Sequence, residues 1–193
     1  MNHTIYLLVL AALFVAIILL QKLYCFICDA STVTPRPYSF ARVQLVWWTF
    51  IVLSLLISIV IASGQIPMLP DSTLILLGIG SLTTVSARII DISDKQNPPA
   101  SGIVSVNQPS QGFFLDILSD NTGVSIHRMQ AFVFNLLFGC WFIYKSYQLI
   151  PGATVITCPD KINGLIPIVT PNDLILLGLS AGTYVALKST ENK

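Results

Sequence analysis

Of the 193 residues, 54% are hydrophobic and 10% are Asp, Glu, Lys or Arg; an ordinary soluble domain carries about 25% charged residues. There is too little polar surface here to wrap a globular core in water. Ten Lys and Arg against nine Asp and Glu leave no long-range basic field, which excludes direct nucleic-acid binding.

A hydrocarbon layer of about 30 Å takes about 20 residues of helix to cross. Five stretches meet or approach that length: Ile5 to Leu20, Gln44 to Ala62, Ser72 to Ile90, Gln130 to Ile150, and Asp173 to Leu187. The predicted fold class is therefore an all-α transmembrane helical bundle with membrane lipid as its solvent. The first stretch lies in an N-terminal segment, residues 1–28. No Lys or Arg precedes it and no small-residue cleavage pattern follows in "QKLYCFICDAST", so it reads as a retained anchor rather than a secretion signal. Cys25 and Cys28 close this segment. A lone CxxC with no second pair and no nearby His argues poorly for a metal, and four scattered cysteines make no disulfide framework. No metal and no cofactor is expected. Cys140 falls within a span, and Cys158 is placed outside, as a free thiol or an intersubunit bridge.

Residues 37–91 and 128–188 spell nearly the same pattern twice. "YSFARVQLVWWTF" lies over "VSIHRMQAFVFNL", and "LILLGIGSLTTVSAR" over "LILLGLSAGTYVALK". Each copy reads as a helical hairpin of even span number, so the two enter the membrane in the same sense, as parallel repeats about an axis along the membrane normal. Ser39 and Ser125 are candidate helix caps. Arg42 and Arg128 are expected at headgroup depth as interfacial anchors, while Gln44 and Gln130 sit deeper and need interhelical partners. Trp47 and Trp48 mark the inner end of the second span; Trp141, Tyr144 and Tyr147 mark the outer end of the fourth, with Lys145 snorkelling among them.

The returning helices carry small residues that let backbones approach closely: Gly78, Gly80, Ser81 and Thr84 in the first copy, Gly178, Ser180 and Gly182 in the second. They are expected to pack within one subunit or between subunits of a homo-oligomer. The last span is short and is expected to pack inside the bundle or to borrow Ile168 and Val169 from the preceding loop.

Eight of the ten basic residues (Lys22, Arg36, Arg42, Arg88, Lys95, Arg128, Lys188, Lys193) fall on one side of this scheme, which predicts the N-terminus outside and the C-terminus in the cytoplasm. Residues 92–127 then form a cytoplasmic loop. Within it, "GFFLDILSDNTG" reads as an amphipathic helix with Phe113, Phe114, Ile117 and Leu118 on one face. Asp116 and Asp120 count against simple lipid adhesion. The helix is left to dock on the bundle floor or on a cytoplasmic partner protein. In the extended outer loop, 151–171, "TVIT" and "LIPIV" flank "PDKING" as a short hairpin cap.

The pattern R-x-Q, then W or F, then L-L-G-x-S-x-G-T-Y resembles a loosely defined set of bacterial integral membrane proteins, from about Pro37 to Lys188. The first copy departs from it, since "LLGIGSLTTV" lacks the Gly-Thr-Tyr ending. In size and general form the chain is also similar to small polytopic subunits of bacterial antiphage systems, such as the Kiwa membrane component. These likenesses imply a bacterial inner-membrane protein and a role in antiviral defence. With no phosphate-binding glycine loop, no Ser-His-Asp set and no embedded carboxylate pair, an enzyme is not expected. The expected function is a homo-oligomeric scaffold or sensor that signals to a cytoplasmic partner. The alternative is an oligomeric ion channel or pore-forming effector, although no filter-like motif or acidic ring makes it specific.

Overall fold

The computed structural model describes residues 3–97, 108–120, 123–150 and 162–191. In chain order the elements are α1 (His3–Tyr24), α2 (Phe40–Ser63), α3 (Asp71–Gln96), α4 (Phe113–Leu118), β1 (Ser119–Asp120), β2 (Gly123–Val124), α5 (Ile126–Leu149) and α6 (Pro171–Lys188). Helices α1, α2, α3 and α5 are each long and apolar enough to cross a membrane, so the predicted class of apolar helical bundle holds. The α6 helix has 18 residues, with Asn172, Asp173 and Lys188 at its ends, and is not among these candidate spans.

The helix ends follow local chemistry. Gly64 closes α2 at φ 71°, its N–H donating to Val60 O, a left-handed cap that glycine adopts without Cβ strain. Pro171 opens α6 at a position needing no N–H, and Thr170 Oγ1 accepts from Asp173 N–H. That proline and cap start the helix after Ile168 and Val169, so α6 does not borrow them; Val169 is instead buried in the loop. Ser39 and Ser125 occupy N-cap positions as expected, but neither side chain makes the cap bond; Ser125 Oγ lies 2.6 Å from His127 Nδ1 instead.

Side-chain contacts fix the helix directions. Thr84 Oγ1 donates to Ala41 O, so the late part of α3 meets the start of α2. Ser72 meets the residue run before α6 through Val169 N–H, while Asp91 and Lys188 pair at the other end, so α3 and α6 run parallel. Trp47 and Trp48 of α2 both bond to Asn135 of α5. The principal packing pairs are α2 with α3, α3 with α6, α6 with α5, and α5 with α2, and α1 leans on α2. Equivalent helices of the two predicted copies thus lie side by side; a two-fold axis along the bundle would set them diagonally.

The interior is filled by Tyr6, Trp48, Ile51, Leu55, Ile59, Leu76, Phe142 and Leu177. At the end bearing the start of α1, Leu165, Ile166 and Val169 plug the bundle, and Met68 N–H bonds Asn163 Oδ1. "LIPIV" covers the bundle, yet as a turn and irregular loop without strand pairing. "TVIT" and Cys158 lie outside the described residues.

The charged pocket at the Arg128 end

At the opposite end of the bundle, the residues between α1 and α2 form a strap. Cys25 and Cys28 are joined by a disulfide, so this pair is oxidised rather than left open to a metal. Cys28 bridges Tyr38, Asp29 N–H donates to Pro37 O at 2.8 Å and Ser39 N–H to Ile27 O at 2.9 Å. Arg42 Nη1 holds Phe26 O at 3.2 Å, and Lys95 Nζ holds Ala30 O.

The strap meets α4 through Asp116. That carboxylate accepts from Tyr38 N–H at 3.1 Å, from Ser110 Oγ at 2.6 Å and from Gln111 N–H at 2.8 Å. Phe113 stacks edge-on against Tyr38 with centroids 5.2 Å apart, and Ile117 is fully buried with Phe40, Ala87, Ala131 and Tyr184. The amphipathic segment therefore docks on its own bundle floor. It is one helical turn and a half, because Gly112 at φ 113° precedes it and the antiparallel pair β1–β2 follows. Phe114 alone of its aromatic residues turns outward, 62% exposed.

Between strap, α4, hairpin and the ends of α5 and α6 lies a cavity of about 340 Å³. Four carboxylates (Asp29, Asp116, Asp120, Glu191) and two cations (Arg128, Lys188) line it, with Tyr38, Phe40 and Tyr184. The cations are not solvated anchors. Arg128 is buried, donates to Ser119 O at 2.6 Å, pairs with Glu191 and lies over the Tyr184 ring at 5.6 Å. Lys188 is buried against Asp91 at 2.9 Å. Burial lifts the Glu191 carboxyl above the usual carboxylate range, against the opposing pull of Arg128 and Lys188. Such pairs hold only while both partners remain, since one buried charge without the other is costly.

The remaining predicted site residues divide. Arg42 and Gln44 depart from their repeat equivalents: Arg42 is partly exposed beside Phe26 O, Gln44 is buried, and Gln130 is exposed. Gln44 Oε1 has no hydrogen-bond partner among the described residues. A Cβ on Gly80 would fall 3.6 Å from Leu45 and Thr84 bonds α2, so these two do bring α3 close to α2. A Cβ at Gly178 would meet Ile79 at 3.8 Å, an ordinary contact, and one at Gly78 or Gly182 would meet nothing within 4 Å. Ser81 is exposed and Ser180 buried. Inside one subunit the Gly178/Gly182 pair is thus not a close-packing device. Leu118 packs against the same apolar cluster as Ile117.

Asp29, Tyr38, Asp91, Tyr184 and Glu191 were not predicted as site residues. The signal available was the presence of charge at two helix ends that must meet if α3 and α6 run parallel. Trp47 and Trp48 also differ from expectation: they turn into the bundle, with Trp48 Nε1 donating to Asn135 Oδ1 at 2.7 Å, because Gly139 leaves room for the neighbouring indole. Among the described residues, no three His, Cys, Asp or Glu are grouped to hold a metal. No family model, curated protein or solved structure matches the chain.

Proposed function

We propose that the chain is a homo-oligomeric membrane scaffold or sensor subunit that receives a cytoplasmic partner protein in the charged pocket. In this reading it sits in a bacterial inner membrane with five crossings, the N-terminus outside and the C-terminus in the cytoplasm, and serves antiviral defence. The orientation is supported by the basic residues: Arg36, Arg42, Arg88, Lys95, Arg128 and Lys188 belong to the pocket end, Lys145 to the other.

One observation carries the proposal. Five elements converge on a polar cavity whose carboxylates outnumber its cations; exposed Val124 lines it, and exposed Phe114 and Ile126 stand on the elements that form it. A basic, partly aromatic segment of a partner is complementary to that surface. The bundle interior is filled by Trp48, Ile51, Leu55 and Phe142, so the channel alternative needs a conduit between copies.

A photo-crosslinking residue at Phe114, with one at Ile175 on the outer face of α6 as control, tests the reading in cells. The expected result is one protein product at Phe114 that is lost in the Asp29→Asn variant and absent at Ile175. No product at Phe114, together with ion flux from the purified protein in liposomes, would replace this reading with the channel.

A further inference from the structure

The strap wall of the pocket is tied at its base by the Cys25–Cys28 disulfide. Asp29 follows Cys28 directly and lines the cavity with Pro37 and Tyr38, so freeing Cys28 removes one of the ties that hold that wall. The two sulfurs are not equivalent. Cys25, at φ 48° just past α1, is partly exposed, whereas Cys28 is 2% exposed beneath Tyr38. Gln21 braces both: its Nε2 lies 3.3 Å from Cys28 Sγ and 3.6 Å from Cys25 Sγ, and its Oε1 accepts from Ile27 N–H at 3.1 Å.

We propose that Cys25–Cys28 is a thiol–disulfide exchange site whose substrate is a dithiol, and that its reduction unlocks the strap wall of the pocket. A thiolate of the dithiol attacks the Sγ of the more accessible Cys25, forming a mixed disulfide and breaking the Cys25–Cys28 bond. The electron pair goes to Cys28 Sγ, which receives a hydrogen bond from Gln21 Nε2 and takes a proton from solvent. The second thiol of the donor then attacks the donor sulfur bound to Cys25, closing the donor's own disulfide and returning Cys25 as a thiol. Two electrons and two protons pass from donor to chain.

A permanent staple is the competing account, and the compartment separates the two. On the orientation proposed above, this end faces a cytoplasm where dithiol systems keep thiols reduced, so a disulfide there is cycled rather than fixed. The strap stays tethered after reduction through Arg42 on Phe26 O and Ser110 N–H on Pro35 O, which makes the change local.

The test uses the full chain in detergent with Cys140→Ser and Cys158→Ser, so that only this pair reports. Dithiothreitol is expected to make both cysteines alkylatable while the protein stays folded, and to speed hydrogen exchange of amides 26–38 about tenfold with α2 and α5 unchanged. In single variants, the thiol left by Cys28→Ser should react with an aromatic disulfide probe about tenfold faster than the thiol left by Cys25→Ser, since burial shields Cys28. A pair that resists dithiothreitol until denaturant is added, or a strap that exchanges alike in both redox states, would overturn the proposal. An impermeant maleimide that reaches the reduced pair only from outside intact cells would overturn it too, by placing the disulfide in an oxidising compartment. None of these readouts depends on the partner crosslink.

Discussion

Gly139 lacks a side chain where the Trp47 indole already stands: a Cβ there would fall 2.3 Å from Trp47 Nε1 and 2.6 Å from Cε2. The indole is itself fixed by its bond to Asn135 O. Gly139→Ala therefore forces Trp47 out of that bond and is expected to cost about 1–3 kcal/mol, as overpacking does, seen as a lower Tm in detergent. The buried pair Asp91–Lys188 gives a second prediction. Lys188→Met leaves a buried carboxylate alone and is expected to cost about 3–5 kcal/mol, while adding Asp91→Leu restores most of it; thermal melts of the single and double variants measure this. At Glu191 the sign follows from the raised carboxyl. Its contribution is full below the unfolded pKa and is lost as pH rises through the folded value. Stability is expected to fall as pH rises just above the ordinary carboxylate range, and Glu191→Gln should flatten that slope in a pH series of melts.

At the scale of elements, hydropathy made the helices legible and contact chemistry did not follow from it. The stretch Gln44 to Ala62 became Phe40–Ser63, and Ser72 to Ile90 became Asp71–Gln96, because polar residues such as Asp91 extend a helix once a neighbour such as Lys188 neutralises them. Trp47 and Trp48 read as interface markers from their position near a span end; only the notch at Gly139, four residues beyond the Asn135 that lies 88 residues after Trp47, shows that they turn inward. The run Phe113–Leu118 was readable as amphipathic, and its self-docking rests on Asp116 clamping Tyr38, a pairing no local pattern reveals. The small residues split in the same way. Gly80 serves α2–α3 contact, whereas Gly182 faces open space. Gly182→Ile is thus expected to leave the Tm of the subunit unchanged and to shift the mass of the detergent-solubilised particle downward, measured by light scattering, if that stripe joins copies; unchanged mass would remove it from the oligomer interface.

For the whole molecule, unequal rod lengths matter. At about 1.5 Å per residue, α3 is about 39 Å long and α6 about 27 Å, and the two start level near Ser72 and Val169. Where α6 stops, Lys188 and Arg128 sit lower than the headgroup plane that α3 would set. With α6 as the fifth crossing proposed above, lipids flanking it must compress to match its shorter length. On that proposal the annulus is dented on one flank, and the protein should melt at higher temperature in short-chain than in long-chain phosphatidylcholine. A flank of this kind also gives neighbouring copies a reason to gather there, since sharing one dent strains less membrane than making two.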